Sequence, residues 1–253
     1  MGHDATSWKR QKGLWAELKA LHASSIDLDR VALLRDASRE ALATPGFVEQ
    51  LLLQLGLNDE AIAEFPHELQ PWCGQGLRIW QYPKQFGKYL VQLSQLAIRS
   101  YVEIGIRHGG SFVATTEYLE RFHPLDYAIG VDIIPCPSMA SYEAQNPKAA
   151  FWCANVRSPD FIARLEGLGA IDLVFIDSHH EEEQCRTELD ILRERASMIA
   201  FHDIANIGCP GIQRVWQDLS RSTEYACFEY VEQYGDLGPF MGIGLAIRKE
   251  RLR

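Results

Sequence analysis

The stretch Tyr101-Val-Glu-Ile-Gly-Ile-Arg-His-Gly-Gly-Ser111 decides the fold of this chain. It opens as a short apolar strand, bends at glycines and continues as the apolar-periodic segment 112–119. A strand that turns on glycines into a helix brings backbone N–H groups and a helix N-terminus to one point. The stretch therefore predicts a site for a nucleotide-like ligand at the first strand of an α/β sheet.

The spacing of the glycines excludes a dinucleotide fingerprint. That fingerprint has a glycine two positions after its first one, and Arg107 stands at that position. Glu103, just before the bend, disfavours a pyrophosphate and favours a ligand that carries a cation or hydroxyl groups. S-adenosylmethionine carries both. The residues of this stretch expected to bind it are Glu103, Gly105, Gly109 and Ser111.

The composition is that of a globular protein in the cytoplasm. The chain has 253 residues, 47% hydrophobic and 23% charged, which allows one large α/β domain with an appendage. A net charge of −9 argues against a nucleic-acid partner. The chain shows no signal-peptide pattern and no apolar run of the roughly 18–20 residues that a membrane span needs. We therefore expect neither secretion nor a membrane span. The six scattered cysteines predict free thiols.

Strands and helices alternate from residue 101 onwards. Apolar strand-like runs occur at 101–104, 127–133, 150–154, 171–176 and 197–201, with predicted helices at 111–120, 138–146, 158–167 and 181–195. Near-continuous apolar strands between helices predict a parallel sheet covered on both faces. Segments 225–234 and 241–248 are joined by a short loop and should pair antiparallel. The fold class is therefore an α/β, Rossmann-like doubly wound sheet, mostly parallel, with an antiparallel C-terminal strand.

The first part of the chain reads as helices, including 8–22, 31–37, 45–55 and 86–96. We expect residues 1–80 to form a helical N-terminal extension that acts as a lid over the site or as a dimerisation arm of a homo-oligomer. Residues 81–253 form the main domain. The aromatic residues Trp72, Trp80 and Tyr82 either form the floor of an acceptor site or pack in the protein interior.

Four motifs in order resemble the class I S-adenosylmethionine-dependent methyltransferases, and within them the cephalosporin hydroxylase-like and macrocin O-methyltransferase-like group. They are Gln81-Tyr-Pro83, Glu103 to Ser111, Phe175-Ile-Asp-Ser-His-His180 and Phe201-His-Asp-Ile204. The resemblance covers the chain from about residue 80 to its end. It implies transfer of a methyl group from S-adenosylmethionine to a hydroxyl of a small acceptor, such as a sugar or a natural product.

The carboxyl ends of the strands are where ligands of open parallel sheets bind. Asp132, after the second strand, is suited to accept both hydroxyl hydrogens of a ribose. Asn155, after the third, either reads an adenine edge with its amide or forms a turn. Asp177, after the fourth, lies between the cofactor and the acceptor. These three residues complete the expected cofactor site.

Asp177 and Asp203 follow neighbouring strands, and a divalent cation would remove the repulsion between their carboxylates. The resemblance implies that they hold magnesium. His202 stands where the group usually has a second carboxylate, and imidazole suits manganese, iron or zinc better than magnesium. His202 therefore either selects a softer metal, acts on protons or packs. The predicted metal ligands are Asp177, His202 and Asp203.

His180 is a candidate general base beside the acceptor hydroxyl. The alternative for this segment is helix capping, with Ser178 as the cap and the acidic residues 181–183 favouring the helix N-terminus. The predicted catalytic residues are Asp177, His180 and His202. Two other functions stay open. One is a metal-dependent hydroxylase-like enzyme with an iron triad of Asp177, His202 and Asp203, and the other is a non-catalytic S-adenosylmethionine-binding subunit.

Overall fold

The computed structural model describes residues 23–60, 62–235 and 238–252, and within them the chain forms a seven-stranded sheet. The strands are β1 Ser100–Ile104, β2 Tyr127–Asp132, β3 Ala149–Cys153, β4 Ile171–Ile176, β5 Ala196–Phe201, β6 Tyr225–Tyr230 and β7 Ile243–Arg248. Their order is β3-β2-β1-β4-β5-β7-β6. Strands β1 to β5 pair in parallel, and β7 pairs antiparallel with β5 and β6. The predicted fold class is confirmed.

Helices cover the strand connections and precede the sheet. They are α1 Val31–Asp36, α2 Arg39–Leu42, α3 Pro45–Leu55, α4 Pro83–Leu93, α5 Gly110–Phe122, α6 Met139–Gln145, α7 Pro159–Glu166, α8 Glu182–Leu192 and α9 Pro210–Ser220. Helix α4 begins three residues earlier than predicted because Pro83 occupies its first turn, where a missing N–H costs nothing. The predicted helix 8–22 lies outside the described residues. None of the described helices is long and apolar enough to cross a membrane.

Alternate residues of the central strands face opposite sides of the sheet. Tyr101 and Phe175 join a core shared with α4 and α5. Val102 and Val174 join a second core shared with α7, α8 and α9. The central strands are therefore mostly apolar, with Glu103 in β1 as a buried exception, and most polar side chains of the site follow the strand ends.

The described part of the N-terminal extension packs on the helices α4 and α5, which cover one face of the sheet. Ile26, Leu34 and Leu52 belong to the same buried core as Tyr101. Arg35 donates two hydrogen bonds of 2.8 Å each to Glu117 on α5. The extension thus lies against the helix that starts at the glycine bend, and it reaches the carboxyl edge of the sheet.

Candidate active site

A cavity of about 640 Å³ opens at the carboxyl ends of the parallel strands. Along the sheet, from β3 to β5, its wall contains Asn155, Asp132, Gly105, Asp177 and His202. Ligands of open α/β sheets bind where the strand order reverses. The reversal falls between β1 and β4, so Gly105 and Asp177 lie at the centre of the cavity.

Gly105 is a glycine because the end of β4 comes very close to it. Its φ is +89°, a left-handed conformation that side chains rarely adopt. A Cβ atom there would lie 2.2 Å from the carbonyl oxygen of Asp177. Gly105 thus permits a close approach of the backbone to the neighbouring strand end, and its predicted contact with the cofactor stays a prediction.

The two following glycines differ in their position. Gly109 caps α5 with a φ of +91°, and a Cβ on it would meet Met139 Cε at 2.5 Å. Gly110 lines the cavity, and a Cβ on it would lie 2.0 Å from the carbonyl oxygen of Leu77 in the N-terminal extension. Gly109, which the sequence predicts to contact the cofactor, is not part of the cavity wall, whereas Gly110 is.

Glu103 lies beneath the cavity and not in its wall. Its side chain is fully buried and accepts hydrogen bonds from the Tyr101 hydroxyl and from Ser111 Oγ. Burial raises the pKa of Glu103 to about 8, against the opposing effect of these hydrogen bonds. Ser111 lines the cavity, so a ligand meets the Ser111 hydroxyl before it meets Glu103.

Asp132 is held by two backbone N–H groups. Its Oδ2 accepts a hydrogen bond from the N–H of Arg107 at 2.8 Å, and its Oδ1 accepts one from Ile134 at 3.0 Å. Burial raises the pKa of Asp132, and these N–H donors lower it. The Arg107 side chain is tied to Glu60 of the N-terminal extension by two hydrogen bonds. The Asp132 carboxylate therefore has a fixed orientation in the cavity wall.

Asn155 both forms a turn and lines the cavity. Its Oδ1 accepts a hydrogen bond from the backbone N–H of Arg157 at 2.9 Å, and its carbonyl oxygen accepts one from Ser158 at 2.9 Å. The side chain is also part of the cavity wall. The turn uses the amide oxygen, and contact with an adenine through the amide NH₂ stays a prediction.

Asp177 is enclosed by three side chains. Its Oδ2 accepts a hydrogen bond from Gln81 Nε2 at 2.9 Å. Its Oδ1 lies 2.9 Å from His202 Nδ1 and 3.5 Å from His180 Nε2. Burial would raise the pKa of Asp177, but His202 and His180 hold it well below its usual range. Asp177 is thus an ionised carboxylate in the cavity wall.

The two histidines are charged because of the carboxylates around them. Burial would lower the pKa of His180, yet hydrogen bonding to Asp177 and contacts with Cys209 and Asp203 raise it to about 10. The charges of Asp177 and Asp203 likewise overcome burial and raise the pKa of His202 to about 9. In the metal-free protein both imidazoles are proton donors at neutral pH.

Ser178 does not cap α8, the alternative explanation for this segment. The N-cap is Glu181, and the Ser178 hydroxyl instead donates to the buried carboxylate of Glu188 at 2.6 Å. His179 is largely exposed, with its Nε2 3.3 Å from Glu181. His180 is therefore the histidine of this pair that contacts both strand-end carboxylates.

The predicted metal ligands Asp177, His202 and Asp203 fall into two overlapping groups. Asp177 groups with His180 and His202, whereas Asp203 groups with His180 and Cys209. His180 Nδ1 lies 3.1 Å from Asp203 Oδ2, and Cys209 Sγ lies 3.4 Å from the same oxygen. The structure thus adds His180 and Cys209 to the candidate ligands.

Gln81 and Cys209 are the site residues that the sequence did not reveal. Gln81 belongs to the Gln-x-Pro motif, but nothing in that pattern says that its amide meets a carboxylate 96 positions further along the chain. Cys209 has no ligand-like spacing. Trp80 lines the cavity, whereas Tyr82 is fully buried and Trp72 packs against the core.

Comparison with known proteins agrees with this architecture. Residues 102–204 match the family model described as a methyltransferase domain. None of the curated proteins matches the sequence.

Two solved structures share the fold. One is the O-methyltransferase from Bacillus cereus in complex with S-adenosylhomocysteine, with 14% identity over 84% of this chain and 92% of that chain and a TM-score of 0.51. The other is the O-methyltransferase TomG from Streptomyces achromogenes, involved in tomaymycin synthesis and in complex with S-adenosylmethionine, with 16% identity over 77% of this chain and 92% of that chain and a TM-score of 0.51. Residues 102–204 are therefore similar to a methyltransferase domain, and the sheet has the fold of these two O-methyltransferases.

Proposed function

We propose that this protein moves a methyl group from S-adenosylmethionine to a hydroxyl of a small acceptor. The observation that carries the proposal is the cavity of about 640 Å³, most of whose lining belongs to the matched residues 102–204. It runs along the sheet edge from Asn155 and Asp132 to Asp177 and His202. We call its part at the ends of β1, β2 and β3 the cofactor half. The part at the ends of β4 and β5, with the loop 202–209, is the acceptor half.

In the cofactor half each polar group has a counterpart on S-adenosylmethionine. The Asp132 carboxylate, oriented by two backbone N–H groups, accepts the ribose hydroxyls. The amide of Asn155 lies beside the adenine. The Ser111 hydroxyl faces the methionine end of the cofactor, and Glu103 acts on it from beneath through their hydrogen bond.

In the acceptor half Asp177 takes the proton. The acceptor oxygen attacks the methyl carbon in line, so that the O–CH₃ bond forms as the S–CH₃ bond breaks and its electron pair returns to sulfur. The hydroxyl proton passes to the Asp177 carboxylate after His180 or His202 has released its own proton, because two charged imidazoles together make this carboxylate a poor base. Gln81, His180 and His202 surround this carboxylate and fix its direction. Asp177 lines the cavity next to Gly105 and thus faces both halves.

The donor set of the acceptor half fits a divalent cation, but not magnesium. The side chains there include two imidazoles and a thiol, and His202 Nε2 is buried without a hydrogen-bond partner. Magnesium takes oxygen ligands in octahedral geometry, whereas imidazole and thiolate suit zinc, cobalt or iron. Such a cation would polarise the acceptor hydroxyl. The magnesium implied by the resemblance is therefore not part of the proposal.

The N-terminal extension also lines the cavity. Asn58, Arg78 and Trp80 belong to its wall, and Asn58 is completely buried. Leu77 and Arg78 lie against Gly110, in the cofactor half. The role of residues 1–80 as a lid over the acceptor or as a dimerisation arm stays a prediction. The small-molecule acceptor, the homo-oligomer and the cytoplasmic location stay predictions.

A hydroxylase-like enzyme is the second candidate function. Asp177, His180 and His202 have the composition of the two-histidine, one-carboxylate set of non-haem iron enzymes. The set differs from the predicted one because His180 takes the place of Asp203. Iron bound at one equivalent to protein purified from iron-containing medium, together with oxygen consumption, would favour this function over methyl transfer.

Calorimetry with S-adenosylhomocysteine tests the proposed function. We expect binding to the wild type and at least about tenfold weaker binding to Asp132→Asn, because a charged acceptor of two ribose hydroxyls becomes neutral. The control is Asp160→Asn, an exposed carboxylate in the first turn of α7, which should bind like the wild type. No binding to the wild type would contradict the proposal.

Formation of S-adenosylhomocysteine from S-adenosylmethionine, measured with a panel of hydroxylated acceptors, separates the enzyme from a non-catalytic binding subunit. Turnover with any one acceptor supports transfer. Tight cofactor binding without turnover on any of them favours the binding subunit.

A further inference from the structure

We propose that His180, Asp203 and Cys209 form a binding site for a divalent cation of the zinc and cobalt class. The three ligand atoms form a triangle. His180 Nδ1 lies 3.1 Å from Asp203 Oδ2, Cys209 Sγ lies 3.4 Å from Asp203 Oδ2, and Cys209 Sγ lies 3.5 Å from His180 Nδ1.

These separations match one face of a tetrahedral zinc site. Zinc binds imidazole and carboxylate at about 2.0–2.2 Å and thiolate at about 2.3 Å, so two of its ligands are about 3.3–3.6 Å apart. Small shifts of the described side chains would therefore place all three atoms at bonding distance. The fourth position is open to the cavity, because all three residues line it.

The loop that carries two of the ligands is held in place by its own contacts. Asp203 has a φ of +60°, a left-handed conformation that non-glycine residues rarely adopt and that persists only where the surroundings impose it. Its Oδ1 accepts a hydrogen bond from Asn206 Nδ2 at 3.2 Å, so Oδ2 is the oxygen at His180 and Cys209. Gln213 Nε2 donates to the Asn206 carbonyl oxygen at 2.9 Å and fixes the loop to α9.

The other nitrogen of His180 faces the kind of group that metal-bound histidines usually have as a partner. Its Nε2 is buried without a hydrogen bond and lies 3.5 Å from Asp177 Oδ1. A carboxylate on the second ring nitrogen fixes the orientation of the imidazole and increases its basicity as a ligand. Asp177 would thus support the site through His180, and Gln81 would support Asp177.

The chemistry of the three atoms selects the cation. One carboxylate oxygen, one imidazole nitrogen and one thiolate sulfur suit zinc or cobalt, and magnesium would use only the oxygen. The site itself does not depend on the proposed methyl transfer. Its use as a Lewis acid for the acceptor hydroxyl does rest on that proposal.

Titration of the purified full chain with Co²⁺ tests the site, because a cobalt–thiolate bond gives a charge-transfer band in the near ultraviolet. We expect the band at one equivalent of Co²⁺, its loss on addition of Zn²⁺ and no effect of excess Mg²⁺. Cys209→Ser should lack the band and bind Zn²⁺ more than about tenfold more weakly, since loss of a supporting residue alone costs 10–100-fold. Cys153→Ser, which removes an exposed thiol, is the matched control and should keep the band.

The site would be overturned if wild-type protein bound no Co²⁺, or if Mg²⁺ displaced it. Cobalt binding without the band would also overturn the site, if His202→Gln abolished that binding and Cys209→Ser left it intact. The metal would then belong to the group of Asp177, His180 and His202. Circular dichroism checks that each variant is folded. Calorimetry with S-adenosylhomocysteine on the same samples measures cofactor binding independently of the metal. A failure of the metal site is thereby distinguished from a failure of the proposed methyl transfer.

Discussion

The cofactor half and the acceptor half of the cavity hold their carboxylates in different ways. In the cofactor half Asp132 is oriented by backbone N–H groups of the adjoining loops. In the acceptor half Asp177 is held by side chains from three distant segments, namely Gln81, His180 and His202. The first arrangement depends on local chain geometry, and the second depends on how the whole fold brings segments together.

The protonation of the buried carboxylates also differs between the cofactor half and the acceptor half. Glu103, beneath the cofactor half, has hydroxyl partners, and burial raises its pKa to about 8. Asp177 is also buried, but two imidazoles hold its pKa below the usual range. Two carboxylates on neighbouring strands thus differ in protonation at neutral pH, because two imidazoles overcome the burial of Asp177, whereas the weaker effect of His202 on Glu103 does not overcome its burial.

The largest expected effect is on transfer in the acceptor half. Asp177→Asn should lower the rate of methyl transfer by about 10²–10⁴-fold, the usual contribution of a general base, because the amide cannot accept the hydroxyl proton. The dissociation constant for S-adenosylhomocysteine should change less than about threefold. Turnover and calorimetry on the same preparation measure both. Equal losses in turnover and cofactor affinity would show that Asp177 does not belong to the acceptor half.

The second effect concerns the protonation of Glu103. The ordinary pKa of a glutamate is 4.5, and the pKa of Glu103 in the folded protein is about 8. Between pH 4.5 and 8 the folded protein therefore holds a proton that the unfolded chain has lost. The stability of the wild type should therefore fall as the pH rises from about 4.5 to about 8, by about 1.4 kcal/mol per pH unit.

Glu103→Gln removes this titration, so its free energy of unfolding should rise relative to the wild type over the same interval. Urea unfolding of both proteins at pH 5 to 8.5, with a chelator present, gives the difference directly. A difference that stayed constant with pH would mean that Glu103 is ionised in the folded protein.

The third effect tests the point where the two halves meet. Gly105→Ala should destabilise the protein, because the added Cβ meets the Asp177 carbonyl oxygen at 2.2 Å and φ is positive. Gly169→Ala is the matched control, with a positive φ and nothing within 4 Å.

We expect the control substitution to lower the free energy of unfolding by about 1–2 kcal/mol, from the backbone conformation alone. A further 1–3 kcal/mol is expected for Gly105→Ala from overpacking. Equal shifts in urea midpoint would show that the close approach of β1 and β4 has no energetic consequence.

The smallest effect separates the two roles of Asn155. Asn155→Asp keeps an oxygen that accepts from the Arg157 N–H and loses the amide NH₂ that would contact adenine. S-adenosylhomocysteine should bind about two- to tenfold more weakly, the range of one lost hydrogen bond, with no change in thermal midpoint. Unchanged affinity would leave Asn155 as a turn residue only.

Much of the cofactor half was predictable because it is local in sequence. The strand, the glycine bend and the helix of Glu103 to Ser111 appear as a continuous pattern, and Asp132 stands at the end of its own apolar strand. The exact contacts were less predictable. A Cβ on Gly109 would point towards Met139 and not into the cavity, and Ser111 lies between Glu103 and the ligand space. These directions depend on packing, which a sequence pattern does not contain.

The sequence by itself determined the fold class, the order of strands and helices, and the position of polar residues at the strand ends. It could do so because apolar periodicity and glycine turns act over a few residues. Only the tertiary structure decided that His180 shares its two nitrogens between Asp177 and Asp203, that Gln81 holds Asp177, and that Cys209 joins Asp203. These contacts join residues from separate segments, and their distances follow from the sheet order and from the path of the loop 202–209.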